Sequence, residues 1–274
     1  MSVDNIAAVK RILDIHQASD GVIRPHFMLT GPSGSGKSHT IQEYCRKQDI
    51  QYFEVNCAQI TKEGLSGNSL SKALAPLGET GLKPVVCFMD EFDKLFISGN
   101  GNEAANECTI GVQNEILKLL ESPTTQVMAD YGKYREIGIQ HVLFVFAGAF
   151  NGTPDMDLDK LRQFGVKTEF LGRVGLVFNL ERVTLDQMLG FLDDSHLLHH
   201  YFKLMPSVDH TVAKMEIRNA IVENYESNTL GVRMLNTLIH QFFVHGTLKR
   251  VAKTVTFQRT LEMPALPVDP LFKA

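Results

Sequence analysis

The apolar run His26-Phe27-Met28-Leu29-Thr30 leads directly into Gly31-Pro32-Ser33-Gly34-Ser35-Gly36-Lys37-Ser38, and residues 38–47 then read as a helix. Strand, glycine-rich turn and helix in this order form a phosphate-binding unit. The spacing Gly-x-x-x-x-Gly-Lys-Ser/Thr has a physical reason. Glycines let backbone N–H groups turn inward around phosphate oxygens, the lysine neutralises β- and γ-phosphate charge, and the final hydroxyl ligates Mg²⁺. Those roles fall to Gly31, Gly34, Gly36, Lys37 and Ser38, with Pro32, Ser33 and Ser35 completing the loop. The reading is a site for ATP with Mg²⁺.

Such a site needs an acidic group from the end of a neighbouring strand. Residues 84–89 are the continuous apolar run expected of a buried parallel strand, and Asp90-Glu91 stand at its end. Asp90 is assigned to the metal and Glu91 to polarising the attacking water as general base. The plainer alternative makes Asp90, Glu91 and Asp93 a solvated acidic turn. The lysine loop upstream favours the site.

Working outward, residues 3–18 have helical periodicity after Asp4, a candidate cap. Residues 51–56 alternate like a second strand, 70–77 read as a helix, 99–106 as a polar Gly/Asn loop, 110–120 as a helix and 141–147 as a strand. Strands alternating with helices predict a parallel sheet covered on both faces. From about Thr184 only helices follow, over 185–201, 208–225 and 230–245, which puts a domain boundary near Val183. Pro264, Pro267 and Pro270 mark residues 261–274 as a loosely held tail.

Bulk properties narrow the class. With 44% hydrophobic and 21% charged residues in 274, the chain has an ordinary globular composition, without the roughly 18-residue apolar run that a membrane span needs. The N-terminus lacks the order of a secretory signal, so a cytoplasmic protein is expected. A formal charge of -4 gives no overall basic field for nucleic acid. Cys45, Cys57, Cys87 and Cys108 form no CxxC pair, which argues against structural zinc or a disulfide framework. His196, His199 and His200 with Asp193 and Asp194 are read as a solvated helix face rather than a metal site.

The pair GPSGSGKS and CFMDEFDKL resembles the AAA+ ATPases, and further stretches resemble their ClpX unfoldase branch. Residues 111–121 are similar to that branch's helix after the acidic motif, and 146–150 to the end of its fourth core strand. Residues 164–173 resemble its arginine-finger segment, and Gly231-Val232-Arg233 its second sensor. The matches are collinear over residues 3–243. The resemblance implies a five-stranded parallel αβα P-loop sandwich (1–183), a small helical lid (184–260) and ATP between them. It also implies that Arg173 reaches a nucleotide bound by the neighbouring subunit of a ring, that Arg233 contacts the nucleotide in cis, and that lid rocking is the power stroke.

Several positions depart from the branch. Gly64-Leu65-Ser66-Gly67 stands where a Gly-aromatic-Val-Gly pore loop is expected, so Leu65 replaces the aromatic grip. Only a short connector separates Phe150 from Phe164, where the branch carries its peptidase-docking loop, and the zinc domain is absent. Docking on a ClpP-like peptidase is therefore not expected. Asn151 is the candidate first sensor. The leading expectation is a homo-oligomeric ring, a hexamer, that remodels a protein substrate. Two alternatives stay open. One is a DNA-handling ATPase, for which Lys249, Arg250, Lys253 and Arg259 offer a modest basic cluster. The other is a slowly hydrolysing nucleotide-switched scaffold.

Overall fold

The structure, a computed structural model, describes residues 2–61, 68–96, 103–246, 248, 250–251 and 254–255. Two units divide the chain, Met1–Glu181 and Arg182–Ala274. In chain order the first runs α1 (Ser2–Ala18), β1 (Phe27–Thr30), α2 (Lys37–Lys47), β2 (Gln51–Asn56), the two-residue strands β3 (Ile60–Thr61) and β4 (Asn68–Ser69), and α3 (Leu70–Ala73). There follow β5 (Val85–Asp90), α4 (Glu103–Glu121), β6 (Thr124–Met128), β7 (Tyr134–Gly138), β8 (Val142–Gly148), α5 (Leu158–Gln163), α6 (Thr168–Leu171) and β9 (Leu176–Asn179).

Five of these strands form one parallel sheet, in the order β2-β5-β8-β1-β9. Because side chains alternate across a strand, odd and even residues separate into two cores. Phe27, Leu29, Val86, Phe88, Leu143 and Val145 pack with Val9 and Leu13 of α1 and Ile41 and Cys45 of α2. Met28, Val85, Cys87, Met89, Phe144 and Phe146 face Val112 and Ile116 of α4 on the other side. Burial on both faces is why these strands read as unbroken apolar runs. Each fully buried Leu or Phe contributes roughly 1.5–3 kcal/mol. The αβα sandwich expected from the sequence is the fold observed.

Register fixes what meets at the carboxyl edge of the sheet. Thr30, the last residue of β1, pairs with Gly148 of β8 on one side and Asn179 of β9 on the other. Asp90 ends β5, one strand beyond β8. The loop at Gly31 therefore emerges amid three other strand ends.

The second unit holds α7 (Leu185–Asp193), α8 (His196–Leu204), α9 (His210–Asn224) and α10 (Arg233–His245), with a two-residue strand pair, Arg250–Val251 and Thr254–Val255. Met188, Leu192, Leu198, Ile217, Ile221 and Ile239 are buried in its core, where Tyr201 and Phe243 stack 4.4 Å apart.

Local chemistry corrects several expected boundaries. The helix expected over 70–77 stops at Ala73, and Pro76 lies in the 3₁₀ turn Ala75–Glu79, since proline lacks the N–H an α-helix would use. The segment 185–201 is two helices, because Ser195 starts a new one by accepting from Leu198 N at 3.2 Å. α1 begins at Ser2, which places Asp4 inside it rather than at its cap, and α4 begins at Glu103, inside the stretch expected to be loop. The antiparallel hairpin of β6 and β7 was not anticipated, nor was the position of β9. Gly64-Leu65-Ser66-Gly67, Lys249, Lys253, Arg259 and residues 261–274 lie outside the described residues.

Candidate active site

Backbone geometry shapes the phosphate loop before any side chain acts. Gly31 has φ 146°, and a Cβ there would lie 2.4 Å from the Leu180 carbonyl oxygen, so only glycine fits between β1 and β9. Gly36, at φ 85°, caps α2 with no side chain over its first turn, and that turn contains no acidic residue. The first N–H groups of α2 therefore point at an uncapped end that favours an anion. The Ser35 hydroxyl oxygen is buried without a hydrogen-bond partner among the described residues. A phosphate oxygen would satisfy it.

Lys37 Nζ donates to the carbonyl oxygens of Gly31 at 2.8 Å and Pro32 at 3.0 Å, which folds the ammonium over the loop. The next residue reaches across to β5. Ser38 Oγ donates to Asp90 Oδ2 at 3.3 Å, while Asp90 Oδ1 accepts the Glu91 N–H at 2.8 Å. A serine hydroxyl beside a carboxylate is a hard-oxygen pair suited to Mg²⁺, and these two residues would hold it. Two residues 52 apart in sequence are brought together.

Glu91 is exposed and left-handed at φ 54°, ψ 31°. For a non-glycine residue this costs about 1 kcal/mol or more and persists only where neighbours enforce it. The enforcing residue is Phe92, buried and ringed by Phe96, Phe146 and Phe170 at centroid distances of 4.9, 4.8 and 5.1 Å. The turn thus turns the Glu91 carboxylate away from the core. Asp93 differs from the solvated acid weighed in the sequence. It is 1% exposed, pairs with Lys94 Nζ at 3.3 Å, and lies where a Cβ on Gly148 would meet it at 3.0 Å.

Asn179 was missed by sequence reading. Its Oδ1 accepts from Thr30 Oγ1 and from Met156 N, both at 2.7 Å, and its Nδ2 donates to Met156 O at 2.9 Å. Asn5 Nδ2 donates to its carbonyl at 2.8 Å. One side chain thus ties the residue preceding the phosphate loop to the segment after β8. Its only sequence signal is the short apolar run Leu176-Val177-Phe178 that precedes it.

Of the other expected site residues, Arg173 lies apart from this cluster within its own chain. Arg173 precedes the first residue of β9, at the edge where strands begin, whereas the loop follows the last residue of the parallel β1. Its guanidinium pairs with Glu121 Oε1 at 2.7 Å and donates to Glu169 O at 3.2 Å. Within one chain, Arg173 and Lys37 are at opposite ends of the strands. Arg233 is the first residue of α10 in the second unit. Asn151 is exposed at φ 57° in the turn after β8. Of the helix-face residues weighed against a metal, Asp193 pairs with Lys214 and Arg218, and His199 Nδ1 lies 2.8 Å from Ser195 O.

Comparison with known proteins matches residues 27–170, more than half of the chain, to the ATPase family associated with various cellular activities (AAA). The chain is similar to the ATP-dependent Clp protease ATP-binding subunit ClpX of Treponema denticola, 24% identical over 249 residues that cover 85% of this chain and 58% of that protein. The ATP-dependent protease ATPase subunit HslU of Halalkalibacterium halodurans is 30% identical over 165 residues, covering 57% of this chain and 32% of that protein. ClpX of Porphyromonas gingivalis is 22% identical over 315 residues, covering 96% and 76%. The chain thus spans little more than half the length of the first of these relatives and a third of the second.

Proposed function

Because the chain belongs to the AAA family of ATPases, we propose that it is a Mg²⁺-dependent ATPase that works as a homo-oligomeric ring, a hexamer, and remodels a protein substrate. The observation that carries the ATPase part of this reading is the Ser38–Asp90 contact, which puts the last residue of the phosphate loop against the acidic strand end. We assign Gly31 to Ser38 to the phosphates, with Lys37 against the β- and γ-oxygens. Ser38 and Asp90 would hold Mg²⁺, which would supply charge neutralisation on the phosphates. Glu91 accepts a proton from the water that attacks the γ-phosphorus. Its exposed, strained placement beyond the strand end suits a base that must face substrate.

Arg173 belongs to the same chemistry in a neighbouring copy. A guanidinium delivered from outside stabilises charge on the transferring phosphoryl group, and its location away from the loop in its own chain supports that division. Arg233 is assigned to sensing the nucleotide from the lid. Residues 1–183 are assigned to nucleotide binding and 184–260 to the lid. Among the described residues no helix is long and apolar enough to cross a membrane.

The test is ATP turnover with and without an unfolded protein. Stimulated turnover that disappears in Lys37→Ala and Glu91→Gln is expected, together with assembly in ATP. A monomer at every concentration with ATP present would refute the ring. Stimulation by DNA that falls steeply with salt would transfer the motor to a nucleic-acid substrate. Glu91→Gln, which should retain ATP, is the variant to use for capturing the client.

A further inference from the structure

α9 is apolar on two opposite sides. At about 100° per residue, Ala213, Ile217, Ala220 and Ile221 share the side buried in the helical core, while Val212, Met215, Asn219 and Val222 fall in a sector of roughly 80° facing the other way. Val212, Met215 and Val222 are 43%, 55% and 49% exposed. One such residue on a surface is ordinary. Here three of them line up along three turns of one helix, on the face away from the helical core.

That stripe borders a groove of about 790 Å³ lined by α8, α9 and the end of α7, in which Phe202 and Met215 are the large apolar residues. Phe202 and His210, both lining the groove, stack with ring centroids 3.9 Å apart. The walls are cationic, with Lys203, Lys214 and Arg218 against a single acid, Asp193. Asp193 is already engaged by Lys214 at 3.3 Å and Arg218 at 3.0 Å. Lys203 has no ion pair among the described residues, and the Nε of Arg218 is buried without a partner. An apolar floor with surplus positive charge selects a ligand with an apolar side chain flanked by negative groups.

We propose that this groove of the helical unit docks an acidic segment of a partner protein, with a large apolar side chain seated on Phe202 and Met215 and carboxylates meeting Lys203 and Arg218. The surface uses none of the residues assigned to ATP. Its success or failure is therefore separable from that of the motor reading.

The experiment is fluorescence anisotropy on the full chain with a labelled peptide of sequence Glu-Glu-Leu-Phe-Glu-Glu. Controls replace its glutamates with lysines or its Leu-Phe pair with two serines. The proposal expects the acidic apolar peptide to bind at least ~10-fold tighter than either control and to weaken as salt rises. Lys203→Glu and Met215→Ser, both at exposed positions, should each weaken it ~5-fold or more, with basal ATP turnover and thermal midpoint kept. Equal binding of the lysine peptide, or unchanged affinity in both variants, overturns the proposal. So does displacement of the peptide by a single-stranded DNA oligonucleotide at lower concentration, or by a peptide copying residues 261–274 at lower concentration. Self-association that Met215→Ser abolishes, without peptide binding, would give the face to a second copy and also overturn it.

Discussion

The two edges of the parallel sheet are both rich in polar groups, yet they do different work. At the carboxyl edge Thr30 donates to Asn179, Ser38 donates to Asp90, and Asp90 accepts the Glu91 N–H, beside an exposed Glu91 and three glycines in conformations side chains avoid. At the opposite edge, His16, His26 and His141 crowd around Arg24 and the first residues of the strands. His16 is fully buried with its ring nitrogens 3.2 Å from the carbonyls of Ile23 and Val85. Burial lowers the pKa of all three rings, with the charge of Arg24 adding to it. Polarity alone therefore does not mark a site. The glycine loop and the uncapped start of α2, with Ser38 against Asp90, distinguish the edge proposed for chemistry from the edge where these histidines pack.

The largest effect should come from the carboxyl edge without disturbing the fold. Lys37→Ala should cut ATP turnover at least ~100-fold in a phosphate-release assay. Its thermal midpoint should stay close to the parent's, because Lys37 is only partly buried. A comparable loss of stability would make the lysine structural and erase the contrast.

Gly31→Ala comes next. With φ 146° and a carbonyl 2.4 Å from the added Cβ, it should cost about 3–4 kcal/mol in denaturant unfolding and abolish ATP binding. Full stability in that variant would contradict the close approach of β1 and Leu180.

The opposite edge predicts a pH effect on stability alone. His26 accepts the Phe144 N–H at 3.1 Å and has its pKa lowered to about 4 by burial and by Arg24. Because the folded value lies below the unfolded one, the stabilisation is whole above pH 6.5 and is lost as pH falls toward 4. By then the loss amounts to about 3 kcal/mol. Urea midpoints of the parent and His26→Gln should diverge above pH 6.5 and converge toward pH 4. Parallel curves would remove His26 from the account.

Asn179→Ala is the smallest test. Losing its bonds to Thr30 and Met156 should cost about 1–2 kcal/mol and weaken ATP binding a few-fold, with kcat little changed. A fall in kcat alone would make Asn179 part of the chemistry instead.

What the sequence made legible follows from distance along the chain. Gly31 to Ser38 is a local device whose spacing alone specifies the backbone, and Asp90-Glu91 is announced by the apolar strand before it. Asn179 was invisible because its partners Thr30 and Asn5 are 149 and 174 residues away, and no local pattern encodes such a meeting. Asp93 entered the sequence reading only in the disfavoured alternative of a solvated turn, and only the packing of the turn against Gly148 reveals its burial. The β6–β7 hairpin was overlooked between two stronger signals, the end of α4 and the apolar run of β8. In the second unit, helical periodicity was plain, but the Ser195 cap that divides α7 from α8 is a single-residue decision.

The central claim is that the carboxyl-edge site is completed by Arg173 of another copy. Mixing Glu91→Gln with Arg173→Ala tests it most directly, since each variant lacks a different half. If the site is shared, each alone is inactive. Their co-assembled mixture then regains up to about a quarter of parental ATP turnover, from sites that pair an intact Glu91 with an intact Arg173. Mixed rings that form but stay inactive, or Arg173→Ala alone at parental turnover, would contradict the account.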